Sequence, residues 1–156
     1  MSQSRYRRVF KRLRAKWADS GILAPAVADN SQIAEFEQRY RVVLPEDLRT
    51  YFATVNGTVE GRLGMDDDDL IGFWHLDQVR TFAEEEFADI PDASSIFAFA
   101  DQSIHVYTYG VRLSDDAAAP TPVLATVGSS HVVVSPSFVE FIEWYLHGDR
   151  SAIYPV

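Results

Sequence analysis

The groups in this 156-residue chain that could do chemistry are four histidines, two dense runs of carboxylates and one serine beside a histidine. His75, His105, His131 and His147 stand far apart in the chain. None has another three or four residues away, the spacing that sets two imidazoles on one helix face for zinc. There is no cysteine, so disulfides and thiolate metal sites are excluded. Ser130-His131 sets a nucleophile next to a base, but neighbours on a strand point to opposite faces, and no hydrolytic pair is read there. Asp66, Asp67, Asp68 and Asp69 suggest calcium. An EF-hand loop starting at Asp66 would need glycine at its sixth position and glutamate at its twelfth; Ile71 and Asp77 stand there. The run reads as an exposed acidic turn. Glu84, Glu85 and Glu86 read as the outer side of a helix. Glu37, Glu46, Asp101 and Glu140 are the lone carboxylates nearest apolar runs, and caps or surface positions account for them. Asn56-Gly57-Thr58 matches a glycosylation sequon, which has meaning only in a secreted eukaryotic protein. No Walker loop, no G-x-G-x-x-G and no basic-aromatic RNA-binding signature occurs. No metal and no cofactor is expected, and the chain reads as a protein without catalytic activity.

The elements that would carry these residues are easier to see. Ile33, Phe36 and Tyr40 fall on one helical stripe, with Ser31 placed to cap it. Val42-Val43-Leu44 breaks the period. Pro45 suits the first position of a second helix, with Glu46 and Asp47 where the helix dipole favours negative charge. Leu48, Tyr51, Phe52 and Val55 continue that helix, and Asn56-Gly57 stops it. Leu70 to Trp74 reads as a buried strand, and Asp77 to about Ala88 as a helix with Val79, Phe82, Ala83 and Phe87 on its apolar side. Ile96 to Ala100, His105 to Leu113, Val123 to Val127 and Val132 to Val134 read as strands, the last two joined as a hairpin at Gly128-Ser129-Ser130. Ser114 to Pro122 is a polar, alanine-rich loop. Ser135 and Pro136 open a closing helix with Phe138, Phe141, Ile142 and Tyr145 as its stripe, ending at Gly148. The order predicts an α+β fold, a single domain with a mainly antiparallel sheet and helices packed around it. The 47% hydrophobic and 13% aromatic content supports one sizeable core and argues against disorder.

Charge is unevenly placed. The first sixteen residues hold seven cations, Arg5, Arg7, Arg8, Lys11, Arg12, Arg14 and Lys16, and no acid. The whole chain has a formal net charge of −9, which leaves −16 for residues 17–156. The basic strip is also helical in pattern, with Tyr6, Val9, Phe10, Leu13 and Trp17 on one stripe. Residues 1–21 are therefore taken as a basic amphipathic helix ahead of a domain at 22–156. Four readings of the strip stand open: a helix docked on the domain with its cations meeting the acidic body, a contact for nucleic acid or anionic lipid through Arg5 to Lys16, a partner-binding helix, and an organellar transit peptide. No run approaches the roughly 18 apolar residues of a membrane span, and no apolar core follows the N-terminal charges as in a secretory signal. A cytoplasmic location is the simpler expectation.

The whole pattern resembles the SUKH superfamily, which includes bacterial immunity proteins and fungal cell-wall-synthesis regulators. Four pieces carry the likeness: Ile33, Phe36-Glu37, Tyr40, Leu44-Pro45-Glu46-Asp47-Leu48, Tyr51-Phe52 and Asn56-Gly57; then Phe73-Trp74 with Leu76 and Val79; then Phe97 to Asp101; and Ser137-Phe138, Phe141 and Leu146. They span about residues 20–154 in the family's order. The resemblance implies an α+β scaffold without a shared catalytic motif. It also implies a binding role: most bacterial relatives neutralise secreted polymorphic toxins, many of which act on nucleic acids. The expected partner is a cognate toxin domain, met through an acidic surface. The candidate contacts are Asp66, Asp67, Asp68, Asp69, Glu84, Glu85 and Glu86, with Trp74 as an aromatic anchor where the fold leaves it accessible. The alternative is a regulatory scaffold that binds an endogenous protein, as the fungal relatives suggest.

Overall fold

The computed structural model of the chain describes residues 2–22, 25–58, 71–85, 87–102 and 107–149. Helix α1 (Ser2–Asp19) opens the fold. Its stripe is fully used: Val9, Phe10, Leu13 and Trp17 are at most 2% exposed, and Tyr6 packs against the same core. Phe10 meets Tyr51 edge-on with ring centroids 5.5 Å apart and leans on Phe138 at 6.0 Å. Trp17 lies 5.3 Å from the Phe73 ring and donates its indole N–H to the Tyr145 hydroxyl at 3.1 Å. Full burial of a side chain of this kind contributes roughly 1.5–3 kcal/mol, so the stripe, not the cations, holds the helix down.

Helix α2 (Asn30–Tyr40) is capped by Asp29 and not by Ser31. The Asp29 carboxylate accepts from the Gln32 N–H at 2.8 Å, and the Gln32 side chain accepts from the Asp29 N–H at 2.9 Å, a reciprocal capping box. The corner after α2 is held by Glu37, whose carboxylate accepts from the Leu44 N–H at 2.7 Å and from Arg49 at 2.6 Å. Pro45 sits at the cap of α3 (Glu46–Thr54), one position before the first helical residue. Asn56 and Gly57 leave the helix with φ of 56° and 73°, the left-handed conformation expected of a stop. A Cβ on Gly57 would lie 2.7 Å from the Phe73 carbonyl oxygen and the Trp74 backbone, so the chain passes there too closely for any side chain.

Among the described residues the sheet is antiparallel, with six strands: β1 (Ile71–Phe73), β2 (Arg80–Thr81), β3 (Ile96–Gln102), β4 (Tyr107–Arg112), β5 (Val123–Val127) and β6 (Ser130–Ser135). The spatial order is β1-β3-β4-β5-β6, and β2 shares the edge of β3 with β1. β1 pairs with residues 100–102 of that strand and β2 with residues 97–98. The predicted hairpin forms, with β5 and β6 joined through Gly128-Ser129. Helix α4 (Phe138–Leu146) closes the fold. Its cap is Ser137, not Ser135: the Ser137 hydroxyl oxygen accepts from the Glu140 N–H at 3.2 Å and the hydroxyl donates to the Glu140 carboxylate at 2.7 Å. The predicted α+β architecture is the one observed.

Strand β3 is buried on both faces. Phe97 and Phe99 join the large core beneath the helices, while Ile96 and Ala98 join a smaller one with Trp74, Phe82, Ile90 and Leu124. This corrects the helix predicted from Asp77 to Ala88. The segment is a 3-10 turn (Leu76–Gln78), the short β2 and a second 3-10 turn (Phe82–Glu85). Val79 packs in the large core and Phe82 in the small one. A single helical stripe cannot serve two cores, so the chain unwinds into an edge strand between them.

Candidate partner-binding surface

The structure distributes the expected contacts unevenly. Asp66, Asp67, Asp68, Asp69 and Glu86 lie outside the described residues. Trp74 is withdrawn as an exposed anchor: it is 0% exposed, sits in the smaller core and donates its indole N–H to Asp101 at 2.9 Å. An aromatic with a polar edge seeks such a partner when buried, and Asp101, itself 2% exposed, supplies it.

Glu84 is exposed but committed. One carboxylate oxygen accepts from the Thr81 N–H, the Thr81 hydroxyl and the Tyr40 hydroxyl, each at 3.0 Å. Burial pulls its pKa up, but the Thr81 and Tyr40 donors outweigh that and hold it below the ordinary carboxylate value. Its neighbour Glu85 accepts from Arg80 at 3.0 Å, and only 10% of its side chain is exposed. These two carboxylates tie α2, β2 and the Phe82–Glu85 turn together. A groove of about 460 Å³ runs between α2 and the Leu76–Gln78 turn, lined by Glu35, Phe36, Arg39, Asp77 and Val79 among others. Its rim carries both signs of charge and converges on no single reacting atom.

Three polar positions prove structural. Asp47 is 5% exposed; its carboxylate accepts from the Thr121 hydroxyl at 2.7 Å and the Leu48 N–H at 2.8 Å. The Thr121 oxygen accepts in turn from the Phe138 N–H at 3.2 Å, so the starts of α3 and α4 are joined through the Ser114–Pro122 loop. Burial pushes the Asp47 carboxyl above its usual value, and these donors pull it only partly back. Asn56 donates to the Ala26 carbonyl at 2.9 Å and accepts from the Leu76 N–H at 2.8 Å. Glu37 serves the corner described above. None of these pairings has a signal in sequence spacing. Among the described residues no group of three or more histidines, aspartates or glutamates could hold a metal ion. Ser130 gives its hydroxyl to the Val127 carbonyl at 3.1 Å and not to His131.

The cations fall into two sets. Beyond α1, Arg49 pairs with Glu37 at 2.6 Å, Arg80 with Glu85 at 3.0 Å and Arg112 with Asp92 at 3.6 Å, while Arg39, over the Tyr40 ring, and Arg41 are exposed with no ion pair to a described residue. On α1, Arg5 pairs with Glu143 at 2.5 Å, Arg14 donates to the Thr54 carbonyl, and the Lys16 ammonium lies 5.3 Å from the Tyr145 ring centroid. Arg7, Arg8, Lys11 and Arg12 are exposed, with no ion pair to a described residue.

Residues 27–144 match the model of the SMI1 / KNR4 family (SUKH-1). The chain belongs to this family. No curated protein sequence matches it. In this SUKH protein the residues that carried the resemblance are scaffold: Ile33, Phe36, Leu44, Leu48, Tyr51 and Phe52 are all buried. The matched span begins after α1, so the basic helix lies outside it. No described helix of this SUKH protein is long and apolar enough to cross a membrane.

Proposed function

We propose that this SUKH protein is a non-enzymatic immunity protein that binds and neutralises a cognate secreted toxin through its acidic surface. The observation that carries this reading is the state of its charges. Beyond α1, Arg49, Arg80 and Arg112 are already engaged with Glu37, Glu85 and Asp92, which leaves Arg39 and Arg41 as the exposed described arginines there. Glu35, Glu46, Asp77, Asp89, Asp115, Asp116 and Asp149 remain exposed on a body with a net charge of −16. A nuclease presents cations to phosphates, and such a surface can occupy that site and speed encounter by steering. The contacts proposed are Asp66 to Asp69, Glu84 and Glu86. Glu85 is largely covered by Arg80. The absence of a shared family motif for catalysis, and the structural duties of Glu37, Asp47, Asp101 and Glu140, favour a binding role over an enzymatic one.

The test is co-expression with the product of a neighbouring toxin gene, followed by affinity capture and a growth assay. The reading expects a stable complex and rescue of growth. A soluble, folded protein that neither captures the toxin nor rescues growth would sink it. Capture of an endogenous protein in a genome without an adjacent toxin gene would favour the regulatory scaffold instead.

A further inference from the structure

We infer that the outer face of α1 is a docking surface for the phosphate backbone of nucleic acid. The starting point is an imbalance left by the fold. Of the seven cations in the first sixteen residues, Arg5, Arg14 and Lys16 have partners in the body. Arg7, Arg8, Lys11 and Arg12 have no ion pair to a described residue, although the body beneath them is strongly acidic. They lie along one open face with Gln3, Ser4 and Ala15. The pairs 7/11 and 8/12 are each four residues apart, so two rows of cations repeat about every 6 Å along the helix.

What this face lacks decides its occupant. The apolar stripe of α1 is consumed by the core, with Val9, Phe10, Leu13 and Trp17 at most 2% exposed. The exposed large hydrophobics described are Val27, Val127, Val132 and Val133, none of them on α1. A helix that lies in a lipid interface buries an apolar face there, and this one has none to offer. A tight protein interface needs a desolvated aromatic or aliphatic centre, which is also missing. A phosphate backbone needs neither. It binds by counterion release and by charge-assisted hydrogen bonds, for which guanidinium groups are well shaped, and three of the four free cations are arginines. A flat anionic membrane would bring the −16 body into its own negative potential. The binding inferred is to the phosphate backbone, the sequence-independent term that charge supplies. It does not rest on the toxin-neutralising reading.

The experiment uses the full chain and a fluorescent random-sequence DNA duplex of about 24 base pairs, titrated between about 50 and 200 mM salt. Four neutralised phosphates predict a log–log slope of about −3.6, a loss of affinity on the order of a hundredfold across that range. R7Q/R8Q/K11Q/R12Q should lose binding by at least about tenfold, and R8Q or R12Q alone should each reduce the slope by about one. Circular dichroism and thermal melting establish that each variant is folded. The inference is overturned by undetectable duplex binding at the low-salt end. Equal binding by the folded quadruple variant also overturns it. So does tighter binding to phosphatidylserine vesicles than to the duplex, which would make the face a membrane contact.

Discussion

Asp47 shows how one side chain can set a pH dependence without doing chemistry. The folded chain holds its carboxyl above the ordinary value because burial disfavours the charge, so the folded state binds that proton more tightly than the unfolded state. The stabilisation this provides is complete below the unfolded value, near 4, and is lost as pH rises through the folded one. Asp47→Asn keeps the shape and does not titrate. The stability of wild type minus that of Asp47→Asn should therefore fall as pH rises from about 4 towards neutrality, read by urea unfolding at a series of pH values. A difference that is flat, or that grows with pH, contradicts the assignment. Asp47→Ala should cost about 1–3 kcal/mol near pH 4, because the Thr121 hydroxyl loses its acceptor, and this cost should shrink as pH rises in step with that of Asp47→Asn. Gly57→Ala is a sharper case. Its φ of 73° and a Cβ 2.7 Å from backbone atoms of Phe73 and Trp74 should together cost upwards of about 2 kcal/mol. A melting temperature unchanged by this substitution would mean that the close approach is not maintained in solution.

At the scale of elements, α1 is the piece whose role can be separated most cleanly. Its apolar stripe is in the same core as α3, α4 and β1, while four of its cations meet no described partner. Trp17→Ala should cost about 3–5 kcal/mol, since it removes a buried aromatic and leaves a cavity. The quadruple glutamine variant on the opposite face should stay within about 1 kcal/mol of wild type. Guanidinium denaturation of both decides this, and a quadruple variant as damaged as Trp17→Ala would mean that the charges hold the helix. The elements legible in the sequence were those with local causes: the stripe of α1, the corner between α2 and α3, and the β-branched hairpin. Caps moved by two residues, from Ser31 to Asp29 and from Ser135 to Ser137, because several small polar residues compete at each helix start and hydrogen-bond geometry selects one. The segment from Asp77 to Ala88 was misread because periodicity cannot show that Val79 and Phe82 belong to different cores. Trp74 was offered to a partner because its own partner, Asp101, is 27 residues away and meets it only through the pairing of β1 with β3. The acidic run Asp66 to Asp69 and the basic strip were legible as charge, but which cations meet a described partner depended on the folded surface.

For the whole molecule, the separation of charge makes the two proposed surfaces distinguishable by kinetics. Residues 17–156 at −16 behind a first sixteen residues at +7 give the molecule two ends of opposite charge. A cationic toxin domain, the partner proposed above, would be attracted by the acidic end and repelled by the outer face of α1. Long-range steering acts on the association rate and weakens as salt shortens the screening length, to about 8 Å at physiological ionic strength. Association with such a partner should therefore slow by about tenfold or more as salt rises from dilute to physiological, with dissociation much less affected. Removing Arg7, Arg8, Lys11 and Arg12 takes the net charge from −9 to −13. If α1 stands away from the toxin contact, that variant should associate faster than wild type at low salt and show a steeper salt dependence. Slower association of the folded variant in stopped-flow measurements would place the toxin contact on α1 instead, and would reverse the division of labour between the two sides. The same variant is predicted to lose nucleic-acid binding, so one substitution set should move the two interactions in opposite directions. A common loss of both would mean that a single surface serves them.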